Sequence, residues 1–323
     1  MKSLIVFLSI LIIFLTCPAS ISAQQPGPAL TLTLPELEWA FEINAPNFHV
    51  EKSTIAPLGD ATYILARNKI TNVILSVFLE KTSGNGTSKE CRDYYWNGNK
   101  KSPLRKDQIK MYDFGEMAIV EYIIPEYLGV KVNQKNLNAC LARDGYRIDI
   151  HLSKISSNTG EEGLLQNILG TVKINDAYTP TAFDLFQFGN LSFFRKDFQG
   201  AIPYYLKALE LDKHRKNLGR ERWIVLVDQL GMSYGFSGDL INARETYEWA
   251  ITQEPEYPMF FFNLACTYAE MDQMGEAIRN LRLAYKYKGN KLPGENLPDP
   301  KSDPSLKKYL NNKTFIAEIQ KIK

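Results

Sequence analysis

Three stretches of this 323-residue chain place small and aromatic residues at the same offsets. In the clearest, Gly231 is followed by Tyr234 at three positions, Ala243 at twelve, Tyr247 at sixteen, Ala250 at nineteen and Pro255 at twenty-four. Phe188-Gly189 opens the pattern earlier, with Ala201, Tyr205 and Ala208 at twelve, sixteen and nineteen. Leu264-Ala265 opens it again, with Tyr268, Ala277, Leu281 and Ala284 at three, twelve, sixteen and nineteen. Gly231 to Ala265 is 34 residues, and Gly189 to Gly231 is 42, which places an insertion of eight within residues 213–222. Self-similarity at such a period means that each unit is one supersecondary piece that buries its apolar face only against its neighbours. From about Tyr178 the chain is therefore expected to stack antiparallel helical hairpins, with small residues allowing close approach and aromatics filling the gaps.

The spacing resembles the tetratricopeptide repeat, a helix-turn-helix unit with a period of 34 residues. Ser192 stands where the family has an aromatic in the first repeat, and Ala265 replaces glycine in the third. The resemblance implies three hairpins over residues 177–288 whose first helices line a concave surface that binds a peptide or protein. On this surface it places Phe183, Phe186, Asn190 and Phe193 in the first repeat, Val225, Asp228, Met232 and Phe236 in the second, and Met259, Phe262 and Glu270 in the third. The set is rich in Phe and Met and implies a partner with an apolar segment. The repeats that clamp a C-terminal carboxylate use Lys or Arg together with Asn, and only Asn190 matches that pattern here. Core packing, or docking against the preceding module, is the other use of these aromatics. Residues 289–304 carry Pro293, Gly294, Pro298, Pro300 and Pro304 and are expected to run over the surface. Residues 305–323, with Leu306, Leu310, Phe315, Ile316 and Ile319, are expected to be one terminal helix that caps the array.

Residues 35–176 follow a different pattern, mostly of period two. In residues 71–81 Val73, Leu75, Val77 and Leu79 share one face, while Ile74 and Phe78 make the other apolar too, as in a central strand covered on both sides. Residues 117–124 repeat that pattern, and residues 139–152 give two strands around Asp144-Gly145, a type I′ hairpin signal. Residues 88–97 and 160–169 suit short amphipathic helices. Strands, helix, strands, helix is the order of an α+β module with an antiparallel sheet; in element order and size it is similar to the PsbP-like α/β sandwich. The whole is thus a multidomain chain, an α+β module followed by an all-α repeat solenoid.

Lys2, the uncharged run Leu4 to Leu15 and the small residues up to Ala23 form the parts of a secretory signal peptide, with cleavage expected after Ala23. That run is shorter than the roughly 20 residues a membrane span needs. An uncleaved anchor and lipidation at Cys17 are the other readings of this segment, and residues 24–34 read as a flexible lead-in. The expected location is periplasmic or extracellular, with no transmembrane span once the signal is removed.

The 38 basic and 36 acidic side chains are distributed evenly, 17 against 18 in residues 35–176 and 13 against 14 in 177–290, which argues against a nucleic-acid binder. Four Cys in 323 residues do not make a disulfide scaffold, although Cys91 and Cys140 are a candidate disulfide in an exported chain. His49, His151 and His214 lie at no metal-ligand spacing, and no nucleophile or phosphate-loop motif occurs, so no metal, cofactor or catalytic residue is expected. Arg147, Asp149 and His151 alternate on one strand face, which reads as solvated; an Asp-His pair for base work is the alternative. Lys213 to Lys216 with Arg220 and Arg222 form one basic patch, read as a surface loop, and Asn85-Gly-Thr87 fits a glycosylation sequon that is equally a turn. The composite expectation is an exported, non-catalytic interaction protein. An envelope hydrolase or thiol enzyme with its chemistry in the α+β module, and a rigid subunit of a larger envelope complex, are the alternatives.

Overall fold

The computed structural model describes residues 29–35, 37–84, 86–155, 163–213 and 217–322, so the expected signal segment, Cys17, Asn85 and His214 to Lys216 lie outside the described residues. Two compact units divide between Thr179 and Pro180.

The first unit is built on a seven-stranded antiparallel sheet in the order β3-β4-β5-β9-β8-β7-β6. Its strands are β3 (Phe48–Ile55), β4 (Ala61–Asn68), β5 (Ile74–Lys81), β6 (Asp107–Phe114), β7 (Met117–Tyr127), β8 (Val130–Arg143) and β9 (Tyr146–Lys154). A three-stranded sheet, β1 (Ala29–Leu32), β2 (Ala40–Asn44) and β10 (Lys173–Asn175), runs in the order β1-β2-β10, which corrects the expected flexible lead-in over 24–34: its described residues pair with β2 and bury Leu32 and Leu34 in the core. The register sorts side chains into rows that alternate between the faces. Ile64, Val77, Ile150, Ala139 and Ile119 face one another across five strands, and all are at most 7% exposed. This row shares a core with Phe41 and Ile43 of β2 and with Leu165 and Leu169 of the short helix α2 (Leu164–Leu169).

The next row, Phe78, Asp149, Cys140 and Ala118, points to the opposite face, where α1 (Ser88–Asn99) packs against β7, β8 and β9. Helix α1 starts where the sequence supplies a capping box. The Thr87 hydroxyl accepts from the Glu90 amide at 3.2 Å, and the Glu90 carboxylate accepts from the Thr87 amide at 2.8 Å. Trp96 of α1 closes a small cluster with Val120, Tyr122 and Ile124 of β7. The hairpin expected at Asp144-Gly145 is present, with φ of 49° and 78°, the two positive values that a type I′ turn requires. The strand expected over 71–81 begins at Ile74, leaving buried Val73 before it. Of the helix expected over 160–169, the described part is α2.

The second unit consists of three helical hairpins, α3 (Ala182–Phe194) with α4 (Phe198–Leu211), α5 (Gly219–Phe236) with α6 (Leu240–Gln253), and α7 (Pro258–Glu270) with α8 (Met274–Lys286). Helices α4 and α6 open on Asp197 and Asp239, whose carboxylates accept from the amides of Gly200 and Asn242, and α3 opens on a Thr181-Asp184 capping box. The repeat glycines explain the close helix pairing. A Cβ on Gly189 would lie 2.5 Å from the Tyr205 ring, and one on Gly231 would lie 2.4 Å from Tyr247. In the third hairpin Ala265 faces Leu281 at the same offset, so a smaller partner accompanies the added methyl.

The eight-residue insertion is partitioned between helix and connector. Helix α5 starts twelve residues before Gly231, whereas α3 and α7 start seven before Gly189 and Ala265. Five inserted residues thus lengthen α5, and the other three lengthen its connector, 212–218, relative to 254–257.

The single terminal helix expected over 305–323 is instead two pieces, a 3-10 turn (Pro304–Tyr309) and α9 (Lys313–Lys321). Asn312 caps α9 by accepting from the Phe315 amide at 3.1 Å, so the chain breaks before it. The 3-10 turn packs on α7 and α9 packs on α8, as the two helices of a further hairpin would.

Candidate functional site

Helix α5 touches both α3 and α7, and α4 and α6 each pack between the first helix of their own hairpin and that of the next. The first helices therefore line one side of the array. Along that side runs a polar seam supplied by the repeat tyrosines. The Tyr205 hydroxyl lies 3.0 Å from Asn190 Oδ1 and 2.9 Å from Gln229 Oε1, and the Tyr247 hydroxyl donates to the Asp228 carbonyl at 3.1 Å. The Asp228 carboxylate accepts from Asn263 Nδ2 at 2.7 Å. Each ring fills the space above a glycine while its hydroxyl reaches the seam, so the aromatic contributes both volume and a satisfied polar end.

The sequence-selected surface residues divide by exposure. Phe236 is 60% exposed and Glu270 is exposed, whereas Phe183, Asn190, Phe193, Val225, Asp228, Met232 and Met259 are partly buried. Phe186, at 7%, and Phe262, at 1%, are core side chains rather than surface, which corrects the expectation for these two. Phe262 is buried because it shares a core with Leu306 and Phe315 of the C-terminal segment. Residues 289–304 are mostly exposed, but they are tied to the last hairpin at several points. Pro300 is buried, the Tyr257 hydroxyl donates to the Glu295 carboxylate at 2.8 Å, and the Tyr285 hydroxyl donates to the Pro298 carbonyl at 3.0 Å. The chain itself thus covers this end of the array, while the first two hairpins keep Phe183, Phe193, Met232 and Phe236 at the water boundary.

An aromatic cluster that adds Phe194 and Phe198 to the expected Phe193 and Phe236 lies at the turn ends of these two hairpins. Phe193 contacts Phe194 and Phe198, and Phe198 lies 4.6 Å from Phe236, ring centre to ring centre. Phe194 is 72% exposed and Ile241 58%. The basic patch is partly committed to internal contacts. Arg220 pairs with Glu254 at 2.9 Å, and the Arg222 guanidinium sits 4.9 Å from the Phe183 ring centre. The lengthened α5 is anchored by Trp223, buried against Trp249 and Phe260.

Burial raises the Asp228 carboxyl to about 7, opposed by the Asn263 hydrogen bond and assisted by the nearby Glu295 charge. In the first unit the Arg147, Asp149 and His151 face is only partly solvated, against the expectation of a solvated one, because α1 packs against β9. The Arg147 guanidinium lies 4.2 Å from the Tyr94 ring centre. Burial raises Asp149 to about 7, against hydrogen bonds from Asn138 and Cys140, and lowers His151 to about 4. No Asp-His dyad for base work forms, because His151 Nε2 bonds Asn136 Oδ1 at 3.1 Å while Asp149 bonds Asn138 and Cys140. The Tyr95 hydroxyl of α1 donates to Glu80 at 2.6 Å. Cys91 and Cys140 are free thiols, each 1% exposed. No cluster of three or more His, Cys, Asp or Glu suited to a metal occurs among the described residues.

A carboxyl whose folded pKa is raised contributes stability that is present in full below its unfolded value and is lost as pH rises through the folded value. For Asp149 that window runs from about 4 to about 7. Asp149→Asn is expected to raise Tm by several degrees over the unaltered protein at pH 8 and by much less at pH 5, read by calorimetry. The opposite dependence of His151 cancels in the difference. A Tm gain that does not change with pH would sink this reading.

The tetratricopeptide repeat family model matches residues 185–215 and 260–291. No curated protein matches the chain. Solved structures similar to it include MamA, at 20% identity and TM-score 0.31, covering 35% of this chain and 62% of that one. The chain thus spans less than two thirds of the length of MamA. The Sgt2 tetratricopeptide domain of Aspergillus fumigatus is similar at 21% identity and TM-score 0.32, over 44% of this chain and 82% of that one. A protein from Bacteroides thetaiotaomicron VPI-5482 is similar at 8% identity and TM-score 0.32, over 60% and 74%. No helix among the described residues is long and apolar enough to cross a membrane. With two repeats matched, a 34-residue period and glycines seated under the tyrosines of paired helices, the C-terminal unit carries tetratricopeptide repeats.

Proposed function

We propose that this is an exported, non-catalytic scaffold protein that holds a partner polypeptide on the first-helix surface of its first two repeats. The observation that carries the reading is the placement of Phe183, Phe193, Met232 and Phe236 along or at the end of these helices, partly or largely exposed, beside the polar seam of Asn190 and Asp228. Apolar side chains at the water boundary next to fixed polar groups suit a peptide with apolar side chains and a backbone to orient. The near-balance of charge in each unit favours such a ligand over a polyanion. Export rests on the uncharged run Leu4 to Leu15 after Lys2. Thiol-type catalysis receives less support, because burial pushes the Cys140 and Cys266 thiols up, away from the thiolate a nucleophile needs. The α+β unit then serves to bind a second component or to hold the protein at the envelope.

The test is a photoreactive benzoylphenylalanine placed in the full chain at Phe236 or, as the control, at Leu206 of α4, which is 46% exposed. Irradiation in the producing cell is expected to attach a discrete polypeptide at position 236 and none at 206. Equal attachment at both positions, or none at 236, would defeat the proposal.

A further inference from the structure

Cys91 belongs to α1 and Cys140 to β8, and α1 packs on β8. Two further contacts fix the pair. The Cys91 Sγ–H faces the Ile148 carbonyl of β9 at 3.9 Å, and the Cys140 Sγ–H faces Asp149 Oδ1 at the same distance. Both side chains are 1% exposed, on the sheet face that α1 covers. Around them stand the charged and titratable groups Glu80, Tyr95 and Asp149. Two buried thiols in the layer between one helix and the strand it packs on are an unusual use of space that apolar residues could fill, and the only other described cysteine, Cys266, belongs to the repeat unit.

We propose that Cys91 and Cys140 form an oxidisable pair whose disulfide fastens α1 to the strand at the centre of the polar cluster. The oxidant class is a small disulfide such as oxidised glutathione. The Cys140 proton passes to the Asp149 carboxylate, and the thiolate attacks one glutathione sulfur; a glutathione thiolate leaves and takes up a proton. The Cys91 thiol then loses its proton and attacks the mixed disulfide at the Cys140 sulfur, releasing the second glutathione. Two S–H bonds are lost, one S–S bond is formed, and the two electrons reduce one glutathione disulfide to two thiols. Burial of both sulfurs means that exchange requires α1 to lift, so the bond forms while the unit folds and resists reduction afterwards. The segment it closes, 91–140, includes α1, β6 and β7, so the cross-link restricts a large part of the unfolded chain.

The experiment refolds the full chain from urea in oxidised glutathione, blocks residual thiols, and maps the peptides without reduction. The expected result is one linked peptide joining Cys91 to Cys140, with Cys266 blocked. The oxidised protein is expected to melt about 5–15 °C above the reduced one. That gap should vanish in Cys140→Ala, and a native sample never exposed to urea should oxidise much more slowly. Both thiols remaining fully blockable after refolding, a link to Cys17 or Cys266 in place of the pair, or glutathione retained on Cys140 without closure would each overturn the proposal. Because Cys91→Ala tests the same bond from α1, a folding defect confined to one variant does not decide the result.

Discussion

Gly231→Ala is expected to destabilise the repeat unit by about 2 kcal/mol, although alanine is the better helix former by about 1 kcal/mol. The added Cβ would lie 2.4 Å from Tyr247 Cζ and 2.8 Å from both Cε atoms. That ring cannot yield easily. It is 1% exposed, and its hydroxyl is held at 3.1 Å on the Asp228 carbonyl of the same first helix that carries the glycine. Relief of the clash therefore requires α5 and α6 to separate, which opens the core around both. The third repeat shows what a compatible change looks like, since Ala265 there is accompanied by Leu281. Tyr247→Leu alone should also destabilise, by removing ring volume and the hydroxyl's hydrogen bond. The double variant Gly231→Ala/Tyr247→Leu is expected to be at least about 1 kcal/mol more stable than the two single effects predict by addition. Urea unfolding of the four proteins measures this coupling. Strict additivity would show that the glycine is not there for the ring.

The same pair shows why the repeat unit was legible before any coordinates. A helix that must approach another closely leaves small residues at a fixed spacing, and a 34-residue recurrence is visible because each hairpin solves the same packing problem. The antiparallel sheet was legible for the analogous reason of period two, and Asp144-Gly145 because few residues accept two consecutive positive φ values. What escaped was set by layers rather than by local pattern. Arg147, Asp149 and His151 alternate as a solvated face would, and the docking of α1 over β7, β8 and β9 withdraws this face in part from water. The surface status of Phe262 was likewise decided at a distance, by Leu306 and Phe315 some forty to fifty residues later. Phe198 of the exposed aromatic cluster begins a second helix, outside the set that the repeat template assigns to the surface, so the template could not supply it.

Phe315→Ala is expected to cost about 3–5 kcal/mol, the largest effect of any substitution proposed for this unit. Phe315 is 0% exposed and shares its core with Phe261, Phe262, Ala269, Leu281 and Leu306, so its ring joins both helices of the last hairpin to the C-terminal segment. A stacked array needs such a closing layer, because its final repeat would otherwise leave an apolar face in water. The loss should be local before it is global, since each hairpin contacts only its neighbours. Hydrogen exchange is therefore expected to accelerate first in α7, α8 and α9, with α3 and α4 protected at the level of the unaltered protein. The same variant bears on binding. With the segment loosened, Phe262 and Cys266 become accessible, and a photoreactive group at position 262 should capture the partner that position 236 captures in the unaltered chain. A Phe315→Ala protein that melts within about 1 °C of the original would mean that the segment lies on the array without closing it. In that case, the burial of Phe262 would have to come from α7 and α8 alone.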